Sequence, residues 1–310
     1  MGNALCAEGK YPQKAIKLYV PYGAGGATDL AARVLVGVVQ DYLGQSVVVI
    51  NKPGASGSIC LDFMTKQKPD GYSMLMVAIG SNALYTAMNT KLPFKYDDFT
   101  YVARTQINPG VTIVNAKRPW KTFDEFRAAI KKDPGKIKFA TAGLGTIQHL
   151  SAAMIYKALG IPIKNLVAVP YDSGTAAVLA VASGEADAFS GNLSEAVSSL
   201  RGGLVRPLAV TTPERVDGYK DIPTFTELGL PQIDLVGFRG IAGPKNLPPE
   251  VVKAWEEAMA KTAKNKAWLK LVKNLGDEPG YLDSKAFTAF EDKEFKRYRE
   301  LFTELGLLVK

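Results

Sequence analysis

The sequence contains a single histidine, His149, and two cysteines, Cys6 and Cys60. With one histidine and two cysteines far apart in the sequence, no zinc site can be proposed. His149 is also the single imidazole that a serine or cysteine nucleophile has available as its base. The two thiols allow one disulfide in an oxidising compartment or two separate thiols, and the sequence does not choose between them.

Sequence motifs of several enzyme classes are missing as well. No G-x-x-x-x-G-K-[ST] and no G-x-S-x-G occurs, so neither a P-loop nor a hydrolase nucleophile turn is present. The turn Gly23–Thr28 lacks the third glycine of a dinucleotide fingerprint, and the next strand ends at Asn51-Lys52 without an acidic ribose partner. No two carboxylates form a recognisable acid–base pair. We therefore expect a protein that is not an enzyme and has no cofactor or metal.

Long apolar runs are absent, so no segment of about 18 apolar residues is available to span a bilayer. The opening MGNALCAEGKYP has neither the basic nor the apolar region of a secretory signal, so we expect an exported form to correspond to a trimmed chain. The net charge of +8 is spread along a chain with 47% hydrophobic residues, as in globular proteins. Its densest basic segment, Lys261–Lys273, has apolar residues at helical spacing, which favours a solvated helix face over a nucleic-acid surface.

The stretch Ile16–Arg33, IKLYVPYGAGGATDLAAR, predicts a short strand, a glycine-rich turn and an amphipathic helix that starts near Thr28. The N–H groups of a first helical turn have no partner within the helix and carry the positive end of its dipole. Gly23, Gly25 and Gly26 leave this backbone uncovered, so the turn suits an anion. Glycine content alone favours an ordinary strand-to-helix turn; the remaining junctions change that balance.

Strand and helix patterns alternate along nearly the whole chain, which is typical of α/β layers with mainly parallel sheets. The apolar run Leu235–Ala242 follows a loop rich in proline, glycine and charge, and we expect it to return the chain to the first of two domains. The prediction is a two-lobed α/β fold with crossing segments. Residues 11–108 and 235–310 form lobe 1, residues 109–234 form lobe 2, and residues 1–10 are an N-terminal extension.

Four strand-to-helix junctions carry glycine and small polar residues, two in each predicted lobe: Gly23–Asp29, Gly80–Asn82, Thr141–Thr146 and Tyr171–Thr175. Ligands of open α/β sheets bind beyond the carboxyl ends of the strands. A cleft lined by facing helix starts would bind an anion through N–H groups, hydroxyls and helix dipoles, without needing an arginine. The central hypothesis from these residues is that the two lobes form such an anion-binding cleft.

Several further segments have a distinctive composition and order. They are VVVINKPGASG at 47–57, TAGLGTIQHL at 141–150, VPY at 169–171, LAVTT at 208–212 and IPTF at 222–225. Together with residues 11–33, they resemble the substrate-binding receptors of tripartite tricarboxylate transporters, often called Bug proteins. Each segment is weakly informative by itself, but the preserved order over nearly the whole chain is specific.

The resemblance implies a monomeric, two-lobed periplasmic receptor that closes on a small carboxylate and delivers it to membrane transporter subunits. It implies no cofactor and no nucleic acid. Carried over by position, the ligand-binding candidates are Tyr22, Gly25, Gly26, Thr28, Asp29, Ser81, Asn82, Thr141, Gly145, Thr146 and Tyr171. Asn192, with Phe189 and Phe238, is a candidate for the more distant part of the pocket, although core packing explains both phenylalanines equally well.

Two departures from the family pattern leave the ligand open between a monocarboxylate and a dicarboxylate, aliphatic or aromatic. Gly23-Ala24 stands where many relatives have a proline pair, and Asp172 follows Tyr171 where a basic residue is usual. Asp29 has two open roles, ligand contact and stabilisation of the first helical turn by about 0.3–1 kcal/mol. Two alternatives remain. The first is an α/β enzyme that acts on an organic acid with His149 as base, although a structural, hydrogen-bonding role is the favoured interpretation of His149. The second is a receptor that serves a sensor kinase.

Overall fold

The structure is a computed structural model that describes residues 11–309. Its strands are β1 (Ile16–Val20), β2 (Val47–Asn51), β3 (Ser73–Ala78), β4 (Phe99–Asn108), β5 (Gly110–Asn115), β6 (Lys138–Thr141), β7 (Val167–Pro170), β8 (Ala188–Asn192), β9 (Val205–Val210), β10 (Gly237–Pro244) and β11 (Glu278–Leu282). Its α-helices are α1 (Ala27–Leu43), α2 (Ser58–Thr65), α3 (Thr86–Met88), α4 (Phe123–Lys132), α5 (Ile147–Ala158), α6 (Gly174–Ser183), α7 (Leu193–Arg201), α8 (Pro249–Thr262), α9 (Lys266–Asn274) and α10 (Ser284–Glu304). A π-helix, Gly80–Tyr85, precedes α3, and short 3-10 helices span Ala55–Gly57, Pro134–Lys136 and Ile163–Asn165.

The strands form two separate sheets, which define the two lobes. The six-stranded sheet of the first lobe has the order β11-β4-β10-β3-β1-β2, and the five-stranded sheet of the second has the order β7-β6-β8-β5-β9. The strands of the first sheet come from both ends of the described chain, so the chain leaves this lobe after β4 and returns to it with β10. The boundaries of the lobes at residues 109 and 235 stay a prediction.

The predicted α/β, two-lobed fold is confirmed, but the sheets are mixed rather than mainly parallel. β1 runs parallel to β2 and β3, and β6 runs parallel to β7 and β8. β10 is antiparallel to β3 and β4, and β5 is antiparallel to β8 and β9. The antiparallel strands lie where the chain passes between lobes or returns, because a crossing strand has no crossover helix to reverse its direction.

β11 was not predicted from the sequence. Its residues, EPGYL, include a proline and a glycine, both of which are depleted in strands. It pairs with β4 at the edge of the first sheet, with an irregular register between Pro279 and Leu282. An edge position tolerates proline because one side of the strand makes no ladder hydrogen bonds.

Helix α5 connects the two lobes by packing as well as by sequence. The strand that precedes it, β6, belongs to the second sheet. One side of the helix nevertheless packs into a cluster of buried residues from the first lobe, through Ile147, Leu150, Ala153 and Met154. The opposite side of the helix, with Ala152, Ile155 and Tyr156, packs into the core of the second lobe. The lobes therefore share apolar core along this helix.

No helix among residues 11–309 is long and apolar enough to cross a membrane. Cys60 is fully buried, and burial raises the pKa of its thiol to about 12. Cys6 lies outside the described residues, so its pairing with Cys60 is untested.

Candidate functional site

A cavity of about 560 Å³ lies between the two lobes. The first lobe contributes residues 22–28, 53–57 and 78–80 together with Asn108, Phe238 and Arg239. The second lobe contributes Ala142, residues 146–148, residues 172–176, Leu179, Asn192 and Glu195. The volume is in the usual range for small-molecule sites.

Five helices begin at the wall of this cavity. Their N-cap residues are Gly26 of α1, Gly57 of α2, Thr146 of α5, Ser173 of α6 and Asn192 of α7, and all five line it. In four of them no side chain of the N-cap residue caps the helix; only the Ser173 side chain accepts a hydrogen bond, from the N–H of Ala176. First-turn N–H groups from both lobes are thus directed toward one cavity, which favours an anion there.

The turn before α1 is held by the buried carboxylate of Asp29. The N–H of Gly25 donates to Asp29 Oδ2 over 2.8 Å, and Asn51 Nδ2 donates to Asp29 Oδ1 over 2.9 Å. Burial by itself raises the pKa of Asp29, but the hydrogen bonds from Arg33, Gly25 and Asn51 outweigh it and lower the pKa below its usual value. Asp29 therefore stays ionised and fixes the turn, and it does not line the cavity.

The turn before α5 is held by His149. The N–H of Gly145 donates to His149 Nδ1 over 3.3 Å, and Thr146 Oγ1 donates to the carbonyl of Gly143 over 2.7 Å. Burial lowers the pKa of His149, which agrees with a neutral ring that accepts at Nδ1. His149 is buried and does not line the cavity, so its geometry agrees with the hydrogen-bonding interpretation and gives no support to a catalytic base.

Tyr22 closes the cavity on the side of the π-helix. A β-carbon on Gly80 would lie 2.5 Å from the Tyr22 hydroxyl, so a larger residue at position 80 would displace the end of this side chain. Burial raises the pKa of Tyr22 to about 12, so its hydroxyl stays protonated at neutral pH and is able to donate a hydrogen bond.

We define the floor of the cavity as a set of six residues, five polar and one aromatic: Asn108, Gln148, Asn192, Glu195, Phe238 and Arg239. These residues come from segments that are far apart in the chain. Arg239 is almost fully buried and its Nη1 lies 2.5 Å from Asp277 Oδ2. Glu195 accepts a hydrogen bond from Gln148 Nε2 over 3.0 Å. Burial raises the pKa of Glu195, although the hydrogen bond from Gln148 and the charge of Arg239 oppose the rise.

The structure places the predicted site residues in two groups. Those that line the cavity are Tyr22, Gly25, Gly26, Thr28, Thr146 and Asn192, and Phe238 lines it as well. Those that lie behind its wall are Asp29, Ser81, Asn82, Thr141, Gly145 and Tyr171, and Phe189 is likewise in the core. The second group makes contacts within its own lobe or, at Gly145, between the lobes.

Most side chains of the second group make hydrogen bonds to nearby backbone or side-chain groups. Ser81 Oγ donates to the carbonyl of Ala78 and lies 3.0 Å from Asn82 Oδ1. Thr141 Oγ1 accepts from the N–H of Gly143. The Tyr171 hydroxyl donates to Glu185 at the surface. Such local bonds are the usual behaviour of serine, threonine and asparagine in turns.

Four floor residues were not predicted from the sequence: Asn108, Gln148, Glu195 and Arg239. The floor thus contains an arginine, Arg239, although the predicted mode of anion binding needs none and Arg239 is paired with Asp277. Arg239 carried a signal, because it is a charged residue inside the otherwise apolar run Leu235–Ala242. The other three are polar residues next to predicted element ends, and nothing local marks them as facing a cavity.

Comparisons with known proteins agree with this architecture. Residues 31–307 match the family model described as "Tripartite tricarboxylate transporter family receptor". The protein BugT of Bordetella pertussis is 28% identical over 302 residues, which are 97% of this chain and 92% of the relative.

Two solved structures extend this similarity over almost the entire fold. The periplasmic binding protein BugD is 27% identical with a TM-score of 0.88 and covers 97% of this chain and 100% of its own. Rpa4515 of R. palustris, solved with adipate, is 25% identical with a TM-score of 0.90 and covers 96% of this chain and 99% of its own. The family consists of periplasmic solute-binding receptors and not of enzymes. The chain belongs to the tripartite tricarboxylate transporter receptor family.

Proposed function

We propose that this protein is a periplasmic receptor that captures a small organic carboxylate between its lobes and delivers it to the membrane subunits of a tripartite transporter. The observation that carries this proposal is the convergence of uncapped helix starts from both lobes on one cavity. First-turn N–H groups bind a carboxylate without a cationic side chain, because their partial charges point toward the same place.

The wall residues Tyr22, Gly25, Gly26, Thr28, Thr146 and Asn192 contact the ligand in this proposal. Asp29, Ser81, Asn82, Thr141, Gly145 and Tyr171 support the wall instead of touching the ligand. Adipate in the R. palustris relative supports a carboxylate as the ligand class. A ligand held by both lobes favours the closed arrangement because it loses its contacts with one lobe when the lobes separate.

Calorimetry and thermal unfolding with a panel of organic acids test this function. A true ligand at 100 times its dissociation constant should raise the free energy of unfolding by about 2.7 kcal/mol. If no carboxylate shifts the midpoint while a different class of solute does, the proposed ligand class is wrong. Uptake of the identified acid by cells with and without the membrane subunits then tests delivery.

Gly26→Val tests the helix start directly. The backbone at Gly26 has a φ of −73°, which valine tolerates, and its β-carbon would lie 3.3 Å from the carbonyl oxygen of Gly23. The added side chain covers first-turn N–H groups, so carboxylate affinity should fall by about tenfold or more, the loss expected for a charge-assisted hydrogen bond.

Gly37→Val is the matched control for that variant. Gly37 lies in the same helix, is exposed, and has open space where a β-carbon would stand. It should leave helix stability unchanged or slightly higher, because glycine is the poorer helix former, and it should leave affinity unchanged. Equal affinity losses in the two variants would show that the start of α1 is not the binding element.

A further inference from the structure

Part of the hydrogen-bonding capacity of the floor is unused within the protein. Among residues 11–309, Asn108 Nδ2, Gln148 Oε1 and Asn192 Oδ1 have no hydrogen-bond partner. These residues are 1%, 3% and 9% exposed and all three line the cavity. Buried polar atoms nearly always have partners in folded proteins, so three orphaned atoms in one floor indicate a place built for a polar group of a ligand.

The charges of the floor are unequally paired. Arg239 is bound to Asp277, and the same oxygen of Asp277 accepts from Gln106 Nε2 over 2.6 Å. Glu195 makes no ion pair with any cation of residues 11–309; the neutral amide of Gln148 donates a hydrogen bond to it, and Asn192 and the charge of Arg239 also favour its ionised form. Arg239 is therefore paired with Asp277, and Glu195 has a nearby positive charge but no ion pair of its own.

Glu195 is held in place by the backbone around it. A β-carbon on Gly174, the first residue of α6, would lie 2.1 Å from Glu195 Oε1. The carboxyl group thus occupies the space that a larger residue at position 174 would need. Gln148 holds the other oxygen, so the group is fixed toward the cavity instead of swinging into solvent.

We propose that the floor recognises a hydrogen-bond-donating group, an ammonium or a hydroxyl, on the part of the ligand remote from its carboxylate, with Glu195 as the specificity-determining acceptor. This inference rests on the proposed function and narrows it. Glu195, Gln148 Oε1 and Asn192 Oδ1 are acceptors, whereas the unpaired donor is Asn108 Nδ2. A second carboxylate would meet Glu195 without a free cation to offset the repulsion.

Four acids that differ at one end test the proposal on the native protein. They are γ-aminobutyrate, γ-hydroxybutyrate, butyrate and succinate, each compared with its five-carbon homologue by calorimetry at neutral pH. The acids with an ammonium or hydroxyl end should bind more tightly than butyrate, and succinate should bind least. Tighter binding of succinate than of both donor-ended acids would overturn the inference while leaving the proposed function intact. Failure of all of them, butyrate included, would overturn the inference, whereas the proposed function falls only if the wider panel of organic acids fails as well.

Glu195→Gln separates the two donors. The amide keeps the size of the side chain and removes its charge, so affinity for the ammonium acid should fall by about tenfold or more, whereas affinity for the hydroxyl acid should change much less. Glu214→Gln, an exposed residue of the second lobe outside the cavity, is the control and should change neither. An unchanged ranking of all four acids in Glu195→Gln would overturn the role of Glu195.

Gly174→Ala moves the carboxyl group without removing its charge. The backbone of Gly174 needs no positive φ, so alanine is tolerated there and the new β-carbon displaces Glu195. We expect this variant to lose the preference for donor-ended acids while it still binds butyrate. A retained preference would show that the position of Glu195 does not set specificity.

Discussion

The turns that precede α1 and α5 have the same backbone and different supports. Gly25 and Gly145 have φ values of +77° and +74°, and the N-cap residues Gly26 and Thr146 have φ, ψ values of −73°, 162° and −78°, 165°. In each turn the glycine N–H donates to the side chain four residues later, Asp29 in one lobe and His149 in the other. One geometry is thus held by a carboxylate and by a neutral imidazole.

The surroundings of the two turns differ more than their backbones. A β-carbon on Gly25 would meet no atom within 4 Å, whereas one on Gly145 would lie 2.5 Å from Met88 Cε of the other lobe. The first turn therefore opens toward the cavity, and the second packs against the first lobe. The same turn geometry therefore has two roles: it leaves the backbone open to the cavity in the first lobe, and it makes a contact between the lobes in the second.

Single substitutions of the two supporting side chains by asparagine should give the largest difference in stability between the two turns. In Asp29→Asn an amide NH₂ group replaces one of the two carboxylate oxygens, so either the Gly25 N–H or Asn51 Nδ2 loses its acceptor. The variant should lose about 2–3 kcal/mol of unfolding free energy because charge-assisted bonds are lost. His149→Asn keeps an acceptor for the Gly145 N–H and should cost about 1 kcal/mol. Urea unfolding measures both, and similar losses would mean that the charge of Asp29 adds nothing.

Alanine at the two glycines should have a smaller effect. Both substitutions place a β-carbon at a positive φ, which costs about 1 kcal/mol. Gly145→Ala also displaces the end of the Met88 side chain in a buried site, so its total should reach about 2 kcal/mol. Denaturant midpoints with unchanged slopes would measure the difference, and a larger loss for Gly25→Ala would contradict the contrast in packing.

The dependence of stability on pH should show the smallest effect. Burial lowers the pKa of His149 from its ordinary 6.5, so below that pH the unfolded chain takes up the proton first and the free energy of unfolding declines. The pKa of Asp29 is also lowered, but from 3.8, so its contribution is lost only in stronger acid.

His149→Asn should remove the first decline and leave the second. Because the chain has one histidine, NMR titration of its imidazole reports the folded pKa without overlap. A value at or above 6.5 would contradict a neutral, buried acceptor in the second turn.

The two turns were predictable from the sequence because their signals are local. Glycines between an apolar strand and a helix start, as in Gly23–Thr28 and Thr141–Thr146, specify a turn whatever the rest of the chain does. Which side chains support the turns was less predictable. Asp29 was equally consistent with ligand contact, and only the positions of Asn51 and Arg33 in the fold decide for support.

The floor was not predictable because it depends on sheet order. Asn108 ends β4, Arg239 lies in β10, and Glu195 lies in α7, and these elements meet only after the chain has crossed between lobes and returned. A periodicity pattern reports which face of an element is buried, but not which distant element covers it. Arg239 within an apolar strand was the single local hint.

The packing of α5 limits how the lobes move apart. Ile147, Leu150 and Met154 of this helix are buried against the first lobe, and exposing each of these side chains to water would cost about 1.5–3 kcal/mol. The least costly opening therefore rotates the second lobe about an axis near α5 and preserves that apolar seam.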